Sequence, residues 1–275
     1  MRSAATLALT LVALVTVACH GMMPAGPGGK AAGARLSTIL ESGQLRVGTS
    51  GDLPPLNMRD SKGEIRGFEP DLIEALAGAM NLDIQYVVKP FPELLPALEK
   101  GEVDLVIAGM TITPSRNARV AFAGPYFISG TSMVARTGTL EEVRTADELD
   151  DPGRTFAALE GSTSARFVED VLPRARRVTT NNYESAVAKL IAGEVDAVVA
   201  DHLACKLAVW RNPTAGLSTL MTPFTTEPLG IALPADDPLL LNLVQNFLNT
   251  IRDTGELTLL KARWLADGDW LEELR

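Results

Sequence analysis

The sequence predicts an α/β protein of two similar lobes. The first observation behind this is a duplicated unit. ALEKGEVDLVIA (97–108) and KLIAGEVDAVVA (189–200) each run helix end, glycine turn, Glu-Val-Asp, apolar strand. The second is the alternation of strand-like and helix-like stretches from 45 to 108, in the order β-α-β-α-β. That order implies parallel-type sheets with right-handed crossovers. The third is length, since 275 residues suffice for one large or two medium domains. Two copies of the unit suit two lobes, one unit in each, rather than a solenoid.

Arg2 precedes an apolar run over 4–18 that is broken only by threonine. The run falls short of the roughly 20 residues that a spanning helix needs, so it fits an export signal. It ends in Thr16-Val17-Ala18-Cys19, which resembles the lipobox of bacterial lipoproteins, with Thr16 where leucine is usual. Residues 1–19 are therefore expected to be a signal peptide with Cys19 as the lipidated residue. A plain signal peptide cleaved nearby is the alternative. Residues 20–35, rich in Gly, Ala and Pro, form a flexible tether, and the fold begins at 36.

Strand 45–49 (LRVGT) ends in the loop 50–55, which Gly51, Pro54 and Pro55 make irregular. Lys62-Gly63 marks a hairpin-like turn, and Pro70 opens a helix whose apolar residues Leu72, Ile73, Leu76, Ala77 and Met80 share a face. Strand 83–88, helix 93–100 and strand 103–108 follow. Pro114 sits where the next helix starts, with Arg116 in its first turn. Further on, the pattern predicts strand 131–135, a short helix at 145–149, strand 155–159, helices 165–172 and 182–192, and strand 195–200. A helix follows Asp201, residues 224–228 return the chain to the first lobe, and strand 229–233 precedes helices 238–252 and 256–265. Lobe 1 is then 36–128 with 229–275 and lobe 2 is 129–228, joined by two crossings that make a hinge.

Composition narrows the function classes. Hydrophobic residues at 46% and charged residues at 21% are ordinary for a globular chain. A net charge of −9 without a basic stripe excludes a nucleic-acid partner. The two histidines have no metal-ligand spacing to a cysteine, so no metal is expected. No Walker loop, haem motif or Ser–His–Asp arrangement is present, and no cofactor is expected. With Cys19 lipidated, Cys205 has no disulfide partner. It is read as a small buried apolar residue rather than a nucleophile.

The candidate site lies at the strand tips, because ligands of open α/β sheets bind beyond the carboxyl ends of strands. The first repeat delivers Gly109, Thr111 and the forked cation Arg116, a group suited to a carboxylate. The second leads straight into Asp201. A cation and an anion on facing tips match a small zwitterion, provided that both tips face one cleft. The tip Gly161-Ser162-Thr163-Ser164 before a helix offers amides and hydroxyls to an anion, although the same residues serve simple capping. Asp201 is equally placed to be a helix N-cap, and Arg116 to be a surface arginine. Asp52 and Leu53 in the first tip loop, and Phe91 as an aromatic wall or core residue, complete the candidates.

From 36 to 264 the chain resembles the family 3 bacterial extracellular solute-binding proteins, the amino-acid-binding type that serves ABC importers. The motifs that carry the resemblance are LRVGTSGDLPP, GEIRGFEPDLIEALA, LPALEKGEVDLVIAGMTITPSR, FAGPYFISG, the GSTS tip, GEVDAVVAD, EPLGIAL and TGELTLLKARW. The resemblance implies a periplasmic-binding-protein fold and a monomeric, non-enzymatic binder of an amino acid that docks on an ABC permease. It would sit in the periplasm or at the cell surface, tied to the membrane only by its lipid. It further implies Arg116 on the ligand α-carboxylate with help from Thr111 and Thr163, and Asp201 on the α-ammonium with a carbonyl near Gly109. Leu53 stands where many members have Tyr or Phe, and Leu56 replaces a common Phe. Ser50 stands where some members that prefer cationic ligands have Asp, which counts against such a ligand. Two alternatives remain. One is a cyclohexadienyl dehydratase-like enzyme on the same fold, to which ILESGQLRV and TSGD are similar, with Glu160 or Glu227 as the general acid. The other is a ligand sensor acting in trans.

Overall fold

The computed structural model describes residues 33–139, 143 and 145–266. Cys19, the leader, most of the tether and Trp270 lie outside them. Each repeat is a ten-residue helix, Phe91–Lys100 or Tyr183–Ala192, closed by a glycine in the left-handed region (Gly101, φ 74°; Gly193, φ 79°). Glycine meets no Cβ clash there, and its amide takes a last-turn carbonyl. The acid of each Glu-Val-Asp then does the same work twice. Asp104 accepts the Arg46 amide at 2.9 Å and returns its own amide to the Arg46 carbonyl at 2.8 Å. Asp196 accepts the Thr155 amide at 2.7 Å and returns its own at 2.8 Å. The acid thus sets the register of the repeat strand against its neighbour.

Two five-stranded mixed sheets result, one per lobe. The first has the order Asp83–Val88, Gln44–Thr49, Leu105–Val106, Glu227–Leu233, Ala121–Ser129. The second has the order Arg176–Thr180, Thr155–Leu159, Ala197–Asp201, Thr131–Arg136, Leu217–Thr219. In each sheet the first three strands in that order run parallel, as expected. The strands next to the crossings are antiparallel, because the chain enters and leaves each lobe there. The chain crosses between Ser129 and Thr131 and returns between Thr219 and Glu227. The long strand Ala121–Ser129 and the strands Arg176–Thr180 and Leu217–Thr219 are additions to the sequence-based elements.

The apolar repeat strands are explained by burial on both faces. Leu105 and Ile107 enter one core cluster while Val106 and Ala108 enter another. Ala197 and Val199 split in the same way from Val198 and Ala200. Cys205 lies fully buried among the small residues of the last cluster, as expected.

One buried carboxylate joins the pieces behind the first tip. Glu69, fully buried near the start of helix Phe68–Met80, accepts from Asn57 Nδ2 at 2.7 Å, the Gly109 amide at 2.7 Å and the Tyr126 hydroxyl. Asn57 Oδ1 in turn takes the Gly51 amide at 2.8 Å and the Ser50 hydroxyl at 3.0 Å. Glu69→Ala would orphan the buried Asn57 and Tyr126 donors and the half-buried Gly109 amide, at about 1–3 kcal/mol each. We expect a loss of at least about 3 kcal/mol, seen as a melting point lowered by roughly 6–12 °C in thermal denaturation.

Candidate functional site

The loops after the parallel strands meet between the lobes. Gly109 follows the first repeat strand with φ 61°, and a Cβ there would lie 2.5 Å from Leu53. Only glycine lets the tip turn this closely. Thr113 then caps the four-residue helix Pro114–Asn117 by accepting the Arg116 amide at 3.2 Å. That seats the Arg116 guanidinium against the second lobe. Its Nη1 donates to the Thr111 carbonyl at 2.8 Å and its Nη2 to the Gly161 carbonyl at 3.1 Å. The guanidinium carbon lies 5.5 Å from the centre of the Phe91 ring. Phe91 is buried in the core as well as lining the cavity beside this cation. Arg116 forms no ion pair among the described residues, and burial lowers its pKa to about 10 against the field of Glu227. This is a half-buried cation on two protein carbonyls, with no carboxylate in direct contact among the described residues.

The second tip supplies the anion. Asp201 ends strand Ala197–Asp201, and its Oδ1 caps helix His202–Arg211 through the Leu203 amide at 2.9 Å. Its Oδ2 takes the Ser129 hydroxyl, and its amide donates to the Tyr183 hydroxyl oxygen at 2.6 Å. Capping and cavity lining therefore coexist. Burial pushes the Asp201 carboxyl up to about 6, with Glu227 adding to the rise and the Ser129 hydroxyl and Leu203 amide opposing it. Ser162 likewise caps helix Thr163–Val171, accepting the Ala165 amide at 3.0 Å, while it faces the same space.

All of Arg116, Asp201, Thr111, Gly109, Thr163, Ser162, Leu53, Phe91 and Asp52 line one inner cavity of about 40 Å³. The condition that both repeat tips face one cleft is met. The sequence did not single out Glu227 as a binding-site residue, yet it sits at the centre. Its Oε2 accepts the hydroxyls of Thr111 at 2.8 Å and Thr163 at 2.7 Å, and its Oε1 those of Thr131 and of Thr225 at 3.0 Å. Burial would raise this carboxyl, but the four hydroxyls together hold it below the usual value. Glu160, the other glutamate considered as an acid, is exposed and does not line the cavity. Tyr183 and Ser129 were also missed. The legible clue to each was position, since Tyr183 is the first residue of its helix and Ser129 the last before a crossing.

Among the described residues no helix is long and apolar enough to cross a membrane, and no group of three or more His, Cys, Asp or Glu has metal-site geometry. A family model for bacterial extracellular solute-binding proteins, family 3, matches residues 45–267. The ABC transporter arginine-binding protein 1 of Escherichia coli is 28% identical over 227 residues, 80% of this chain and 90% of its own. The cyclohexadienyl dehydratase of Pseudomonas aeruginosa is 25% identical over 232 residues, 84% of this chain and 86% of its own. The solved structure of an ancestral arginine-binding protein bound to arginine superposes with a TM-score of 0.77 at 32% identity, covering 82% of this chain and 99% of that one.

Proposed function

Because the chain belongs to the bacterial extracellular solute-binding proteins, family 3, we propose that it captures an amino acid, or a similar small zwitterion, between its lobes and delivers it to an ABC importer. The observation that carries this is the pairing of one unneutralised guanidinium with one buried carboxylate. They stand on the tips of two repeated units and face one cavity. Arg116 receives the α-carboxylate, its planar fork matching two oxygens, with the Thr163 and Ser162 hydroxyls beside it. Asp201 receives the α-ammonium near the Gly109 turn. Leu53 and Phe91 wall the apolar part of the ligand. Closure of the lobes excludes water and strengthens both charged contacts. The protein works as a monomer outside the cytoplasm, held to the membrane by a lipid on Cys19. Cys19→Ala should move it from the membrane fraction to the soluble one on fractionation of expressing cells.

A catalytic reading is prompted by the dehydratase among the relatives. Of the two glutamates considered as its general acid, Glu160 lies off the cavity and Glu227 is kept below the usual carboxylate value by its hydroxyl partners. Binding without turnover is our reading, and an assay with prephenate is expected to show no product above background.

A thermal-shift screen with amino acids, dicarboxylates and sugars tests the ligand class. An amino acid at about a thousand times its Kd should add roughly 4 kcal/mol of stability. No stabilisation by any amino acid would overturn the proposal. Arg116→Ala should weaken binding by roughly 10- to 150-fold in calorimetry, from a loss of about 1.5–3 kcal/mol. The fold, followed by circular dichroism, should be unchanged.

Asp201 makes the affinity depend on pH. Its folded value of about 6 lies above the ordinary carboxylate value, so the unliganded protein loses stability as pH rises through that range. An ammonium is attracted only by the ionised form, so affinity should fall as pH drops below about 6, by roughly tenfold at pH 5. Calorimetry at stepped pH measures this, and Asp201→Asn should flatten the profile.

A further inference from the structure

Two crossings join the lobes, and one carboxylate stands where they meet. Glu227 is the first residue of strand Glu227–Leu233, where the return crossing re-enters the first lobe. It pairs across the ladder with Ser129, the last residue before the outward crossing. Its backbone therefore belongs to the hinge, while its side chain lines the inner cavity.

The two oxygens of this carboxylate have different partners. Oε1 takes the hydroxyls of Thr131 and Thr225, one beside each crossing. The Thr131 amide donates to the Thr225 hydroxyl oxygen at 2.8 Å, which ties the two crossings to each other. Oε2 takes the hydroxyl of Thr111 at 2.8 Å from the first lobe's tip and that of Thr163 at 2.7 Å from the second's. One oxygen is thus fixed to the hinge, and the other joins the tips. A carboxylate has about four lone-pair sites, and these hydroxyls fill them. Glu227 keeps no acceptor for a ligand.

We propose that Glu227 is a positioning residue that latches the lobes together, drawing them toward closure before a ligand arrives and setting the affinity for every ligand by one common factor. This rests on the reading of the cavity as the ligand site and adds to it the control of closure. Both Oε2 bonds join protein groups, so the latch needs no ligand to form. They are half-buried and charge-assisted. The Arg116 Nη2 contact to the Gly161 carbonyl also spans the lobes, but it is longer, at 3.1 Å, and exposed to competing water. Leu53 packs against the second lobe's core and Leu159 against the first lobe's. These apolar contacts do not involve Glu227, so its loss opens the lobes in part.

The size of the effect follows from linkage. Loss of one charge-assisted hydrogen bond shifts the open–closed ratio about tenfold or more. From even populations, a tenfold shift lowers the closed fraction about fivefold. Apparent affinity falls by the factor by which the competent fraction falls. That factor is the same for every ligand, because Glu227 touches none of them.

The test is double electron–electron resonance on the full chain carrying Cys19→Ala. Spin labels stand at Ser61→Cys in the first lobe and Thr214→Cys in the second, both exposed positions, and the remaining cysteine, Cys205, is fully buried. Ligand-free protein, stripped by unfolding and refolding, should show a substantial short-distance population. Glu227→Ala should shrink it threefold or more in favour of a longer distance, and a saturating amino acid should restore it. Thr163→Val removes only the second lobe's end of the latch. It should lengthen the ligand-free distance too, and it decides the matter where Glu227→Ala does not fold. In calorimetry, Glu227→Ala should weaken every amino acid that the parent binds by one factor, equal to the fall in the closed fraction. Equal ligand-free distances in the parent and both variants would overturn this proposal while leaving the amino-acid site standing. Losses that differ more than threefold among ligands would also overturn it, since they mark a direct contact. Binding of no amino acid would remove the underlying reading, and the ligand-free distances alone would then decide the latch.

Discussion

The cavity face depends on a carboxylate that does not itself line the cavity. Glu69 is fully buried, and burial pushes its carboxyl up even as the Tyr126 hydroxyl, the Gly109 amide and Asn57 pull it down. Its partners lie on three separate stretches: the tip of the first repeat, the strand that leads to the crossing, and the hairpin after the first strand. A buried acid is worth keeping only where its lone pairs are filled, and here they are filled by the groups that must be placed. Through Asn57 the same carboxylate reaches Ser50 and Gly51, so the loop that carries Asp52 and the tip that carries Arg116 share one anchor.

The two lobes are built by one local rule applied twice, and for that reason they present matching tips. A glycine ends the helix, an aspartate sets the strand register, and an apolar run fills both faces of the sheet. Beyond the last apolar residue nothing in the rule constrains the chain, and there the copies diverge. One continues into a glycine turn and a capped arginine, the other into an aspartate that caps a helix. Opposite charges beyond the corresponding strands of the two lobes follow from that divergence at a shared scaffold.

This explains what was legible in the sequence and what was not. The repeat strands and helices were readable because burial on both faces or on one helical face leaves a periodic apolar record. The strands Arg176–Thr180 and Leu217–Thr219 were not, since both are edge strands of their sheet with polar, partly exposed residues. Arg116, Asp201 and the two threonines were readable as tip residues, and all four line one cavity. Glu227 as a cavity residue was not, because its place depends on four hydroxyls from Thr111, Thr131, Thr163 and Thr225, which only the crossings bring together. Asp52 was readable as a loop acid, but its position at a cavity mouth depends on the pairing of a two-residue strand.

On the proposed reading, the same contacts would couple ligand to closure. The Arg116 guanidinium is seated on one carbonyl from each lobe, Thr111 and Gly161, and Glu227 holds one hydroxyl from each lobe's tip, Thr111 and Thr163. Separating the lobes would break the Gly161 and Thr163 contacts and return the guanidinium and the carboxylate to water. Bringing them together without a ligand leaves Arg116 desolvated with no carboxylate in direct contact among the described residues, and Asp201 buried at a raised pKa. Both costs are charge costs of opposite sign, and a zwitterion removes both at once. A ligand shifts a conformational equilibrium only by its differential affinity for the two states. On the proposed reading, that difference would be supplied by the two charges that closure strands and the ligand neutralises.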